Sequence, residues 1–355
     1  MGNLRIVTWV AGVAFAVAVQ AGTKNGPSYP DLRDRHDPSL QRGLERSLHR
    51  LGLSEAIKHK KLSVAVVDIS RLSAPRVAAV NGDEMMYAAS LPKIAILLGA
   101  FVEIERGRMK LDGKTRETLE QMIRVSSNEA ATAMLRRVGK QNLEDILMSD
   151  RYRLYDPAYN GGLWVGKEYG PNGAYHRDPL HNLSHGATAM QVARFYYMLE
   201  TGQLVSPKLA KQMKEILGDP GIHHKFVKGL EDTDSRIYRK SGTWEQWHAD
   251  SAIVERDGKK YVIVALAEDP KGGEWLVNLV KPVDAMIVPT RLATVDDTIM
   301  QTRKTAIDAP VATTSKRMVA ALSEEDLQRP EMRMVFACAR ARDTRWGPKA
   351  VVLCR

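Results

Sequence analysis

Ser90-Leu91-Pro92-Lys93-Ile94-Ala95-Ile96-Leu97-Leu98 is the stretch from which the rest of this chain is best read. Ile94, Leu97, Leu98, Phe101 and Ile104 recur at helical spacing and predict one long apolar face, ended by Gly107. Pro92 is tolerated in a first helical turn. Residues three apart share a helix face, so the Lys93 amine can lie beside the Ser90 hydroxyl. A hydroxyl is a poor nucleophile at neutral pH and needs a base within reach. A lysine can serve when burial and a neighbouring positive charge lower its pKa. The helix N-terminus adds free backbone N–H groups and positive potential. The plainer alternative is an N-cap serine followed by a solvated lysine.

Working outward, residues 40–53 carry Leu40, Leu44, Leu48 and Leu51 at helical spacing. Residues 62–69 read as a buried strand, with 76–80 as its hairpin partner. Downstream, helical patterns cover 115–123, 129–137, 187–199 and 208–217, the last with Ser206 as cap and Pro207 at its first position. Residues 237–244, 251–255 and 261–267 return as strands, with Asp257-Gly258 a hairpin turn. Residues 274–287 form a closing helix. Strands on both sides of a helical block can meet in one antiparallel sheet with helices packed against it, an α+β architecture.

Two short motifs follow the first. Ser126-Ser127-Asn128-Glu129 is a capping-box pattern opening the helix at 129–137. Read chemically, the Ser126 hydroxyl relays a proton to a leaving nitrogen, while Asn128 binds a substrate amide or orients Lys93. Lys240-Ser241-Gly242-Thr243 ends a strand, where a lysine commonly discourages edge pairing. Read chemically, Lys240 holds a substrate carboxylate, Ser241 belongs to the same binding strand, and Gly242 permits close backbone approach. The Thr243 and Ser90 backbone N–H groups then form an oxyanion hole, worth roughly 3 kcal/mol per donor.

Each motif alone has a comfortable structural explanation; all three in this order do not. Together they resemble the serine β-lactamase and penicillin-binding-protein superfamily, especially class A β-lactamases. The resemblance spans residues 40–287, and residues 184–205 look like the helix that follows that family's omega loop. It implies a helical subdomain against a five-stranded antiparallel sheet, with the nucleophile Ser90 between them, Lys93 as base and Ser126 as relay. It also implies an omega-loop glutamate that positions the deacylating water. Glu168-Tyr169-Gly170-Pro171-Asn172 keeps a Glu and an Asn four apart, which makes Glu168 the candidate. The alternative is an exposed loop carboxylate. Two other departures stand out. Ser127 occupies the middle of the second motif, where class A enzymes usually carry Asp, and the segment between Lys93 and Ser126 is shorter than theirs.

The chain has 355 residues, 44% hydrophobic and 26% charged, ordinary for a soluble globular protein. Its formal charge is +10, with 52 Lys and Arg against 42 Asp and Glu. The basic residues are scattered among acids with no basic block alternating with aromatics, which argues against a nucleic-acid partner. Residues 6–19 are almost entirely apolar behind Arg5, and Val19-Gln20-Ala21 suits a signal-peptide cut after Ala21. The run is shorter than the ~20 apolar residues of a spanning helix, so no stable membrane span is expected after cleavage. The expected organisation is a signal peptide at 1–21, a linker at 22–39, a hydrolase domain at 40–288 and a C-terminal extension at 289–355. The expected compartment is periplasmic or secreted. There Cys338 and Cys354 could close a disulfide worth about 3 kcal/mol; two unpaired thiols are the alternative.

His176, His181 and His185 suggest a metal cluster, but no accompanying Cys or His-Glu-x-x-His signature supports one, and a loop of hydrogen-bonded histidines is the expectation. No phosphate loop or dinucleotide fingerprint stands out, so neither an organic cofactor nor a metal is expected. Trp244 and Trp247 either line the cleft or pack under the sheet. The leading expectation is an exported serine hydrolase that opens β-lactam amides through an acyl-serine. The alternatives are a D-alanyl-D-alanine peptidase acting on peptidoglycan stem peptides and a non-catalytic penicillin-binding or sensor module.

Overall fold

The computed structural model describes residues 29–170 and 176–288. The segments expected to be the signal peptide and the C-terminal extension, most of the expected linker, Asn172 and both cysteines lie outside the described residues. The chain begins with α1 (Pro38–Arg50), α2 (Ser54–Lys58), β1 (Leu62–Asp68), β2 (Arg76–Val80) and β3 (Met86–Tyr87). A helical block follows: α3 (Lys93–Glu105), α4 (Gly113–Arg124), α5 (Asn128–Val138) and α6 (Lys140–Met148). Short strands β4 (Tyr155–Asp156), β5 (Gly161–Gly162), β6 (Trp164–Val165) and β7 (His185–Ala187) lead to α7 (Ala189–Glu200), α8 (Pro207–Leu217) and α9 (Phe226–Gly229). The chain returns through β8 (Arg236–Trp244), β9 (Trp247–Arg256), β10 (Lys259–Glu268) and α10 (Gly272–Ile287).

Five strands form the main antiparallel sheet in the order β2-β1-β10-β9-β8, so the expected α+β fold with a five-stranded sheet is what the chain adopts. Residues of β1 and β10 alternate between two apolar layers. Val64, Val66, Ile263 and Ala265 pack with α1 and α10, whereas Ala65, Val67, Val262 and Val264 face the helical block. Burial on both faces explains why these strands read as unbroken apolar runs rather than alternating ones.

Side chains set the helix starts. Asp37 accepts from Leu40 N at 2.7 Å with Pro38 in the first turn, and Asp112 accepts from Thr115 N at 2.8 Å. Pro207 does open α8, but the Ser206 side chain makes no capping bond; its backbone N–H donates instead to Glu105 Oε1 at 2.6 Å. α3 is buried along almost its whole length, from Lys93 to Glu103. A helix apolar on every side belongs inside the helical layer, and this one carries the first motif there. β8 lies at the sheet edge, which leaves its outer backbone groups available to a ligand. Among the described residues no helix is long and apolar enough to cross a membrane.

Candidate active site

Ser90 stands in a tight turn between β3 and α3. Leu91 N donates to Ala88 O at 3.0 Å, Lys93 N donates to Ser90 O at 3.2 Å, and Ala89 takes a left-handed φ of 50°. A non-glycine residue in that region is uncommon and is often found where a site must aim its side chains. β3 pairs with β7, and Ala88 N donates to His185 O at 3.0 Å, so a small three-stranded sheet holds the turn.

Lys93 is fully buried. Its ammonium donates to Ser126 O at 2.6 Å, Asn128 Oδ1 at 2.8 Å and Ser126 Oγ at 3.3 Å. Burial lowers its pKa to about 7, against a smaller opposing pull from Glu129. From the other side, Lys240 Nζ donates to Ser126 Oγ at 2.9 Å and to Ser241 O at 2.7 Å. Burial first and the positive charge of Lys93 second hold Lys240 well below the usual lysine range. The first, second and third motifs thus meet at one hydroxyl.

The capping-box reading placed the cap at Ser126, and the structure moves it by one residue. Ser127 is the N-cap of α5, accepting from Ala130 N at 3.1 Å, and its hydroxyl donates to Glu129. Ser126 takes a left-handed φ of 59°, and its side chain is turned to the two lysines.

Gly242 brings β8 against the Ser90 turn. A Cβ there would strike the Ala88 carbonyl oxygen and come within 2.9 Å of the Ser90 backbone nitrogen. Only glycine allows that approach. Beneath the strand, Arg239 and Asp250 form a fully buried bidentate pair at 3.0 and 2.8 Å, and Arg239 also donates to Ile222 O at 2.6 Å. Lys225, also buried, donates to Gly242 O, Thr243 Oγ1 and Ala249 O. His224 Nε2 lies 3.3 Å from Ser241 Oγ, and burial lowers its pKa to about 4.

Glu168, the omega-loop candidate, is engaged by an arginine. Its two carboxylate oxygens accept from Arg136 Nε and Nη2 at 2.8 and 2.7 Å, an ion pair that lowers its pKa. Its neighbour Tyr169 lies beside Lys93, with the ring 4.5 Å from Lys93 Nζ. The Tyr169 backbone N donates to Thr132 Oγ1 at 3.1 Å, and its ring packs on His185 at 4.3 Å with the hydroxyl donating to Ala89 O at 3.5 Å. The three histidines are separately bonded. His176 Nδ1 lies 2.7 Å from Glu144 Oε1, His181 Nε2 lies 3.0 Å from Asn160 Oδ1, and His185 Nε2 lies 3.2 Å from Lys167 O. Among the described residues no group of three His, Cys, Asp or Glu side chains could hold a metal ion. Trp247 packs edge-on against Tyr87 at 5.4 Å, while Trp244 is exposed at the hairpin tip.

The sequence reading missed Arg239, Asp250, Lys225, Tyr169 and Arg136. Arg239 and Asp250 carried a usable signal, since each is a charge inside a strand otherwise built to be buried. Lys225, Tyr169 and Arg136 carried none, because their partners are distant in sequence.

A helical block on an antiparallel sheet, with a Ser-x-x-Lys turn facing a Lys-Ser-Gly edge strand, defines the β-lactamase-like serine hydrolase class. A family model described as the β-lactamase enzyme family matches residues 44–116 and 113–286, and the chain belongs to that family. No curated protein matches the chain. Solved structures share its fold. One is a β-lactamase from Sphaerobacter thermophilus, 15% identical over 69% of this chain and 96% of that one, with a TM-score of 0.55. PBP-A is 18% identical over 72% and 97%, with a TM-score of 0.53, and a PBP-A mutant has been solved as an acyl-enzyme complex with penicillin G. A mutant class A β-lactamase of the last common ancestor of Gram-negative bacteria is 20% identical over 69% and 98%, with a TM-score of 0.53.

Proposed function

We propose that this chain is an exported acyl-serine hydrolase that is acylated by β-lactams at Ser90 and releases the acyl group slowly. The observation that carries acylation is the convergence of Lys93 and Lys240 on Ser126 Oγ. With a pKa near 7, Lys93 is neutral in a useful fraction at physiological pH and can take the Ser90 proton as the hydroxyl attacks the amide carbonyl. The Ser90 and Thr243 N–H groups stabilise the oxyanion. As the C–N bond breaks, Ser126 gives its proton to the leaving nitrogen and recovers one from Lys93. Lys240 and Ser241 hold the substrate carboxylate, and Asn128 keeps Lys93 oriented.

Slow release is supported by Glu168. Both of its oxygens are engaged by Arg136, and the Tyr169 ring, whose phenol stays protonated because burial raises its pKa, stands beside Lys93. The same geometry favours a second reading, a D-alanyl-D-alanine peptidase or penicillin-binding enzyme acting on peptidoglycan stem peptides. Acylation of a PBP-A mutant by penicillin G is in keeping with a small β-lactam ligand. The apolar run at residues 6–19 supports export to the periplasm or beyond.

Intact-mass spectrometry over time after mixing with penicillin G tests the proposal. A penicilloyl adduct on Ser90 that persists for minutes, absent in Ser90→Ala, is expected. Rapid hydrolysis without accumulation would overturn slow release, and neither adduct nor hydrolysis would overturn the acyl-serine reading.

A further inference from the structure

We infer that Lys225 is a positioning residue that fixes the Gly242–Thr243 peptide so that the Thr243 N–H faces the carbonyl attacked by Ser90. The inference rests on the acyl-serine reading above and adds a part that neither the motifs nor the family match assigns. Lys225 is 2% exposed, and its ammonium donates to Gly242 O at 2.6 Å, Thr243 Oγ1 at 2.8 Å and Ala249 O at 3.1 Å. Three acceptors saturate its three N–H donors. All three lie on the β8–β9 pair, where Gly242 stands opposite Ala249.

A trans peptide is planar, with its C=O and N–H pointing in opposite directions. Tying the Gly242 carbonyl to Lys225 therefore turns the Thr243 N–H the other way, toward the open edge of β8. Beside it, Gly242 lies so close to the Ser90 turn that no Cβ fits between them. The lysine also fastens the Thr243 side chain, leaving the same peptide little freedom to rotate.

The position is held from behind. Lys225 has a φ of 53° and a ψ of −120°, sparsely populated for a residue with a side chain. The next residue, Phe226, donates from its backbone N to Asp250 Oδ2 at 3.1 Å, the carboxylate already paired with Arg239. Asp250 also offsets part of the cost of burying the Lys225 charge, and Arg239 opposes it. A buried ammonium with strained backbone has little to recommend it as a packing element, since Met fills such space without desolvating a charge. Directing one peptide beside the nucleophile gives it a use.

Lys225→Met in the full chain tests this with two probes of Ser90, a fluorescent penicillin and an aryl boronic acid. The boronate forms a tetrahedral adduct with an oxygen where the oxyanion develops. The expected result is a limiting acylation rate at least tenfold lower, a parallel loss of boronate affinity, and a non-covalent penicillin affinity within threefold of the parent. Should Lys225→Met fail to fold, Lys225→Gln, which retains a donor, carries the same comparison with an expected loss of three- to tenfold in both readouts. An unchanged acylation rate, or a loss confined to non-covalent affinity, would overturn the inference while leaving the acyl-serine reading intact. Absence of any adduct on the parent Ser90 would overturn both.

Discussion

Lys240 Nζ donates to Ser126 Oγ at 2.9 Å, and Lys93 Nζ reaches the same oxygen at 3.3 Å. Two buried cations sharing one neutral hydroxyl is unfavourable unless one of them readily gives up its proton, and both have depressed pKa values. The arrangement suits proton transfer better than stability.

Adjacent serines should therefore separate chemistry from folding. Ser126→Ala is expected to slow acylation by roughly 10²–10⁴-fold with little change in melting temperature. Ser127→Ala removes the α5 cap and is expected to cost about 1 kcal/mol of stability while leaving the acylation rate near the parent's. Penicillin labelling kinetics and thermal melts on the two variants read both effects.

Acylation should rise with pH through about 7, as Lys93 loses its proton and becomes a base. Lys93→Arg, which never deprotonates in this range, should abolish that rise along with most activity. Stability has a definite sign too. The folded pKa lies below the ordinary lysine value of 10.5, so the unfolded chain binds the extra proton between about pH 7 and that value. This group alone then makes the fold more stable as pH rises through that window, and least stable below it. Comparing denaturant midpoints of the parent and Lys93→Met across pH isolates that contribution.

Gly242→Ala should be more damaging than its size suggests. The added methyl meets the Ala88 carbonyl and the backbone nitrogens of Ser90 and Leu91, none of which is a flexible side chain that can move aside. Overpacking of this kind costs about 1–3 kcal/mol. Because the displaced atoms include the Ser90 N–H proposed as an oxyanion donor, a hundredfold or greater loss of acylation is expected, out of proportion to the shift in melting temperature.

Glu168→Gln should leave the lifetime of the Ser90 adduct unchanged, because this carboxylate is occupied with Arg136 rather than with Lys93. Tyr169→Ala should shorten it by admitting water beside the base. Intact-mass decay curves distinguish the two variants. A stalled release in Glu168→Gln would restore that residue as the deacylation base.

Much of the fold was legible because its elements are long and strongly patterned. The spacing of Leu40, Leu44 and Leu48 marked α1, and the apolar run after Lys93 marked α3. The strands β3 to β7 run two or three residues each, too short for alternation to register, and α9 is a single turn. In the site, Ser90, Lys93, Ser126, Asn128 and the Lys240–Thr243 strand were legible because each motif is local. That Ser127 rather than Ser126 caps the helix was not legible, since the Ser-x-x-Glu spacing points to Ser126 and the left-handed backbone there turns its hydroxyl away from the helix.

By itself, then, the sequence determined the order of the five main-sheet strands and of most of the longer helices, the burial of the central strands and the three motifs, all properties of neighbouring residues. Tertiary structure alone decided that Lys93 and Lys240 share one oxygen, that Arg136 pairs with Glu168, and that Lys225 reaches the Gly242 carbonyl. Those contacts join residues 17 to 114 positions apart. Their strength comes from burial in a low dielectric that exists only once helices and sheet have closed around them.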